Sequence, residues 1–140
     1  MAIIYHAEGV RFPAIGRRET TKWIKFVVQF YGKRVGDVAY IFCSDQKILE
    51  MNKQYLQHDY YTDIITFDYT EGNKISGDIF ISIDTVKSNS EQLATGYHEE
   101  LHRVIIHGIL HLCGWNDKIP EDKQQMREKE NEALRLRNRI

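Results

Sequence analysis

Residues 97–113 constrain the fold most: a strongly apolar run at helical spacing, bounded by Gly96 and Gly114. Gly114 is a natural stop, because glycine adopts without steric cost the left-handed conformation that ends helices. A helix carrying Leu101, Val104, Ile105, Ile106, Ile109, Leu110 and Leu112 has little polar surface to turn to water, so it is expected at the centre of the fold. With 140 residues, of which 42% are hydrophobic, the chain suffices for one domain with a sizeable core and is too short for two. We expect a single domain over residues 1–140.

Strand and helix signals surround that segment. Residues 2–5 form a short apolar run, and Thr20 or Thr21 offers a cap for a helix over 22–31 that Gly32 ends. Residues 38–43 are rich in β-branched and aromatic side chains, as strands are, and Ser44 then caps a helix bearing Ile48, Met51 and Tyr55. Residues 64–67 and 76–83 read as two further strands joined by a turn at 70–73, with Ile79, Ile81 and Ile83 on one face. Helical spacing through Val86, Ser90 and Leu93 follows. A last helix begins near Pro120, acidic at its start and rich in arginine at its end, which suits the helix dipole. Its thin apolar content predicts a surface position.

No apolar run approaches the roughly eighteen residues of a membrane span, and no basic-then-apolar leader opens the chain, so a cytoplasmic protein is expected. A net charge of -1, from 19 basic and 20 acidic residues, provides no global field for gathering nucleic acid. A local basic patch or a metal still serves for phosphate, so RNA stays open as a substrate. Cys43 and Cys113 lack zinc-finger or redox spacing and read as buried thiols.

The chemistry concentrates on the apolar helix. His107 and His111 are spaced so that their side chains leave one face a turn apart, within reach of one metal ion. Asp117 lies just past the glycine stop, near enough for a turn to bring its carboxylate back. Two histidines and one carboxylate leave a fourth position for water, as catalytic zinc sites do. Gly108 stands where zinc proteases carry their glutamate base, which argues against ordinary proteolysis and allows a substrate or neighbouring backbone to come close. Glu100 and Arg103 share the metal face toward the helix start, either as outer support and substrate groups or as a structural ion pair. His102 falls off that face and reads as a surface or supporting residue. Asp63, Asp68 and Asp78 flank strands, where turn formation is the commoner role. For the aromatic stretch 55–61 packing is favoured over base stacking, and Arg135, Arg137 and Arg139 read as a solvated helix end.

These residues resemble a known family, the YbeY-type endoribonucleases. Its signature is a histidine, a glycine, two typically apolar residues and a second histidine, leading into Leu-x-Gly-Tyr-Asp-His. Here the segment is His107-Gly108-Ile109-Leu110-His111-Leu112-Cys113-Gly114-Trp115-Asn116-Asp117. The first two ligands match by position; Asp117 falls on the third, normally histidine, and Trp115 and Asn116 replace the tyrosine and aspartate. Upstream, Met51-Asn52-Lys53-Gln54-Tyr55-Leu56 is similar to the family's Leu-Asn-x-x-Tyr-Arg, with Leu56 in place of the arginine. Asp59-Tyr60-Tyr61-Thr62-Asp63-Ile64-Ile65-Thr66-Phe67 is similar to its Asp-x-Pro-Thr-Asp-Val-Leu-Ser-Phe, with Tyr61 for the proline, and Gly77-Asp78-Ile79 matches its Gly-Asp-Ile strand.

The resemblance implies an α+β fold, a small mixed β-sheet of about four strands packed against helices, with the metal helix lining a cleft. It implies one zinc ion per chain, held by His107, His111 and Asp117, and cleavage of single-stranded RNA in maturation of small-subunit rRNA ends and ribosome quality control. The ribosomal small subunit is the implied partner, no membrane is involved, and the oligomeric state is left open. A zinc-bound water or the RNA's own 2'-hydroxyl would attack the phosphodiester; no side chain is assigned as general base, and Glu100 and Arg103 are supporting candidates. Two other readings compete. One is a ribosome-associated RNA-binding or assembly factor with a structural or vestigial metal site, suggested by Leu56 and Asp117. The other is a metal-dependent hydrolase of another substrate, which the missing glutamate disfavours.

Overall fold

The computed structural model describes residues 2–56 and 62–138. Its elements in chain order are β1 (Ile3–Ala7), α1 (Arg17–Phe30), β2 (Arg34–Cys43), α2 (Asp45–Met51), β3 (Ile64–Asp68), β4 (Lys74–Ser82), α3 (Ile83–Gln92), α4 (Tyr97–Leu112) and α5 (Pro120–Arg137). A π turn, Asn52–Leu56, continues α2.

The four strands form one mixed sheet in the order β1-β2-β4-β3. β1 and β4 both run parallel to β2, while β3 is antiparallel to β4 and forms the opposite edge from β1. Parallel neighbours need a crossover, which α1 provides between β1 and β2. The antiparallel pair needs only a turn, closed by Glu71 and Lys74, whose backbones exchange hydrogen bonds at 3.1 and 3.0 Å. This is the α+β arrangement expected from the sequence.

Strand alternation decides where the helices go. Val38, Tyr40 and Phe42 of β2 and Ile75, Ile79 and Ile81 of β4 are buried on one face, in the cluster that also holds Ile105, Ile106 and Ile109 of α4. Each such side chain contributes about 1.5–3 kcal/mol through removal from water. A second cluster, Cys43, Ile48, Met51 and Ile65, brings α2 against the sheet with Phe67 and Phe80 beside it. α4 is the centre: it contacts α1, α3, α5, β3 and β4, and the Tyr40 hydroxyl donates to the Ile105 carbonyl at 2.8 Å.

Several boundaries differ from the sequence reading. α1 starts at Arg17 behind Gly16, whose φ of 66° turns the chain, and no threonine caps it; the Thr20 hydroxyl instead donates to the Ile15 carbonyl at 2.8 Å. Ile83 opens α3 rather than ending β4, because the Ser82 hydroxyl accepts the Thr85 N–H at 3.1 Å and caps the helix there. His102 is fully buried against Trp23, not at the surface. α5 is polar on its outer side, yet Met126, Glu130 and Ala133 turn inward, and the Trp23 indole donates to the Ala133 carbonyl at 2.8 Å. No helix among the described residues is long and apolar enough to cross a membrane.

Candidate metal centre

The site begins where α4 ends. Gly114 has a φ of 102°, its N–H reaches the His111 carbonyl at 2.9 Å, and the Trp115 N–H reaches the Leu110 carbonyl at 3.0 Å, so the chain reverses on the last turn. The Trp115 ring then meets Tyr31 edge-on at 5.8 Å, with the Lys129 ammonium 5.1 Å from the indole centroid. Anchored in this way, the loop lays Asp117 over the histidine face. Asp117 Oδ2 lies 3.2 Å from His107 Nε2 and 3.4 Å from His111 Nε2. All three ligand atoms fall within 4.8 Å of one another, so the three residues could hold a metal ion.

The donor set fits zinc. Donors about 2.0–2.1 Å from a tetrahedral ion stand about 3.3 Å from one another, close to the separations found, and two imidazoles with a carboxylate are ligands that zinc accepts.

A supporting layer lies behind the ligands. His107 Nδ1 is 2.7 Å from Glu130 Oε2, and Arg103 pairs with the other oxygen, Oε1, at 3.0 Å. A carboxylate at Nδ1 selects the tautomer in which Nδ1–H donates to Glu130, which leaves the Nε2 lone pair of His107 directed at the site. Burial alone would lower the His107 pKa, but the Glu130 hydrogen bond and charge, with Asp117 and Asp63, raise it. Burial and the neighbouring His107 lower that of His111. Burial raises Asp63, and raises Glu100 despite Arg103 beside it.

These groups line a cleft of about 600 Å3 between β3, α4 and α5, which also takes in Leu56 and Arg127. Glu100 and Arg103 both line it, and Arg103 is paired there with Glu130. Asp63 and Asp68 line it too, the latter also accepting the Thr70 N–H at 2.9 Å, whereas Asp78 lies within β4 away from it. Gly108 does not face the cleft: a Cβ there would meet Ile79 and Ile64 side chains, so its smallness serves packing of α4 on the sheet. Arg137 donates to His98 Nε2 at 2.8 Å, and residues 57–61 and Arg139 lie outside the described residues. Glu130 and Arg127 escaped the sequence reading. The signal for Glu130 was its place in the single inward stripe of α5, between Met126 and Ala133.

The family model described as Endoribonuclease YbeY matches residues 11–138. The chain belongs to the YbeY family. Curated relatives named Endoribonuclease YbeY include one from Bacteroides fragilis, 66% identical over 98% of this chain and 99% of its own length. Another, from Bacteroides thetaiotaomicron, is 64% identical over 98% of this chain and 100% of its own length. A Porphyromonas gingivalis relative is 56% identical over 94% of this chain and 87% of its own. Among solved structures, the Thermotoga maritima protein TM1509 superposes with a TM-score of 0.66 at 27% identity, covering 95% of this chain and 87% of that one. Within the YbeY framework, this chain's cleft presents a carboxylate, Asp117, beside the histidine pair and a leucine, Leu56, in the same cleft.

Proposed function

We propose that this chain is a cytoplasmic, single-domain endoribonuclease that holds one zinc ion through His107, His111 and Asp117 and cleaves single-stranded RNA in maturation of small-subunit rRNA ends. The observation that carries the reading is the convergence of Asp117 Oδ2 on both histidine Nε2 atoms in an open cleft, in a chain related to proteins named Endoribonuclease YbeY. When bound, the ion supplies Lewis acidity toward charge developing on phosphoryl oxygens. The chain's own residues do the rest. Glu130 keeps the Nδ1 proton on His107 and leaves Nε2 for ligation, and Arg103 fixes Glu130 in turn. Zinc takes only the neutral imidazole, and the raised pKa of His107 strengthens the competition from protons, so loading weakens as pH falls.

The test is elemental metal content of wild type and His111→Ala, purified without chelator and matched for folding, followed by cleavage of single-stranded RNA with and without chelator. Near one zinc per wild-type chain, little in the variant, and chelator-sensitive cleavage support the reading. A well-folded wild type that takes up no zinc on reloading overturns it.

Leu56 favours a second reading, an RNA-binding or ribosome-assembly factor. It places an apolar side chain, 42% exposed, in the cleft where the family resemblance has a guanidinium. Binding of ribosomal RNA with no turnover by the zinc-loaded protein would select it.

A further inference from the structure

Around the histidine pair, the described lining of the cleft carries five carboxylates and only two guanidinium groups, Arg103 and Arg127. The proposed zinc offsets part of this charge at the reacting phosphate, but a polyanionic strand running along the rest of the cleft still meets an excess of carboxylates unless a side-chain cation faces it. Arg103 is already engaged: its NH1 donates to Glu130 Oε1 at 3.0 Å, and its side chain is only 13% exposed. Arg127 is different. Its side chain is 54% exposed, and its NH1 lies 4.0 Å from the same oxygen, inside ion-pair range but beyond hydrogen-bonding distance. Among the described residues its guanidinium makes no hydrogen bond.

We infer that Arg127 is a substrate-binding residue that takes a backbone phosphate of the RNA strand, an assignment that rests on the endoribonuclease reading of this site. Glu130 braces His107 with one oxygen and attracts Arg127 with the other, so the guanidinium is held at the cleft wall beside the metal face with its donors unspent. A planar fork of N–H groups suits two phosphate oxygens at once, which an ammonium cannot match. Arg135, on the same helix but outside the cleft, supplies the control for charge alone.

The experiment measures binding of a single-stranded RNA oligonucleotide across a salt series, and cleavage kinetics, for zinc-loaded wild type, Arg127→Ala, Arg127→Lys and Arg135→Ala. Metal content and thermal midpoint are checked to be equal; Arg127→Gln, which keeps much of the stem, replaces the alanine variant if that loses structure. Arg127→Ala is expected to weaken binding about tenfold, the scale of one lost charge-assisted hydrogen bond. The slope of log affinity against log salt should fall in magnitude by about 0.7, the share of one phosphate contact on a single strand. The loss should appear in KM, with kcat within about twofold of wild type. Arg127→Lys should recover the slope but not the full affinity, and Arg135→Ala should resemble wild type. If wild type binds and cleaves while Arg127→Ala is indistinguishable from it, or Arg135→Ala loses as much, the inference is overturned and the endoribonuclease reading stands. If wild type neither binds nor cleaves RNA, both fall.

Discussion

His107 Nδ1 and Glu130 Oε2 meet at 2.7 Å across 23 positions of sequence, joining the centre of α4 to the inner stripe of α5. A metal-binding histidine held at its far nitrogen by a carboxylate is fixed in tautomer and ring angle before the ion arrives. Glu130→Ala should therefore lower zinc affinity about 10–100-fold, the usual range for lost outer support, with the three ligands unchanged. Glu130→Gln, which keeps an acceptor but not its charge, should lose less. Competition against a chromophoric chelator reads both; wild-type affinity in the alanine variant would remove Glu130 from the site.

The carboxylate at 117 offers a cleaner exchange. Asp117→Ala leaves two histidines and should strip zinc from the purified protein, whereas Asp117→His restores the three-histidine set of the family pattern and should retain more metal than the alanine variant. Elemental analysis after gel filtration decides. Equal zinc in wild type and Asp117→Ala would show that this carboxylate is no ligand.

The histidine pair was legible because helical period alone places two such residues on one face, and Gly114 marked the turn that returns Asp117. β1, β2 and β3 were legible as short apolar runs, that of β2 rich in β-branched and aromatic residues, and β4 as an alternation that matches its buried face. The start of α1 was not, since Gly16 turns the chain by its backbone alone and two threonines nearby imitate a cap. Glu130, Arg127 and the role of Arg103 were hidden for another reason. Which face of a polar helix docks is settled by tertiary packing, and here Met126 and Ala133 decide it while contributing little periodic signal. His102 was misplaced because its burial against Trp23 of α1 arises only when α1 packs on α4.

Two glycines rank the tightness of packing under the site. A Cβ on Gly77 would lie 2.5 Å from the Phe67 carbonyl oxygen, a backbone atom fixed in the β3–β4 ladder. One on Gly108 would meet only side-chain atoms, of Ile79 at 3.0 and 3.1 Å and of Ile64 at 3.2 Å. Overpacking typically costs about 1–3 kcal/mol, and alanine returns roughly 1 kcal/mol of helix propensity at Gly108 alone. Gly77→Ala should thus lower the urea midpoint clearly more than Gly108→Ala, with unchanged slopes. The reverse order would mean that the sheet yields more readily than the helix contact.

Acid stability should carry the mark of His102. It is fully buried, its Nδ1 lies 2.7 Å from the His98 carbonyl oxygen, and its Nε2 has no partner among the described residues. Burial, with the Arg137 and His98 charges adding to it and the His98 backbone opposing, holds its pKa down at about 4 against an ordinary 6.5. Between those values the unfolded chain binds a proton there that the folded chain refuses, so stability is complete above pH 6.5 and falls as pH drops toward 4. The limiting slope for one proton is about 1.4 kcal/mol per pH unit. Asp63 and Glu100, whose pKa values burial raises, push the other way as they take up protons, so the contribution must be read by difference. His102→Gln cannot titrate. Urea midpoints of both proteins at pH 7, 6 and 5 should converge as the medium becomes more acidic, and parallel profiles would mean that His102 titrates alike in the folded and unfolded chain.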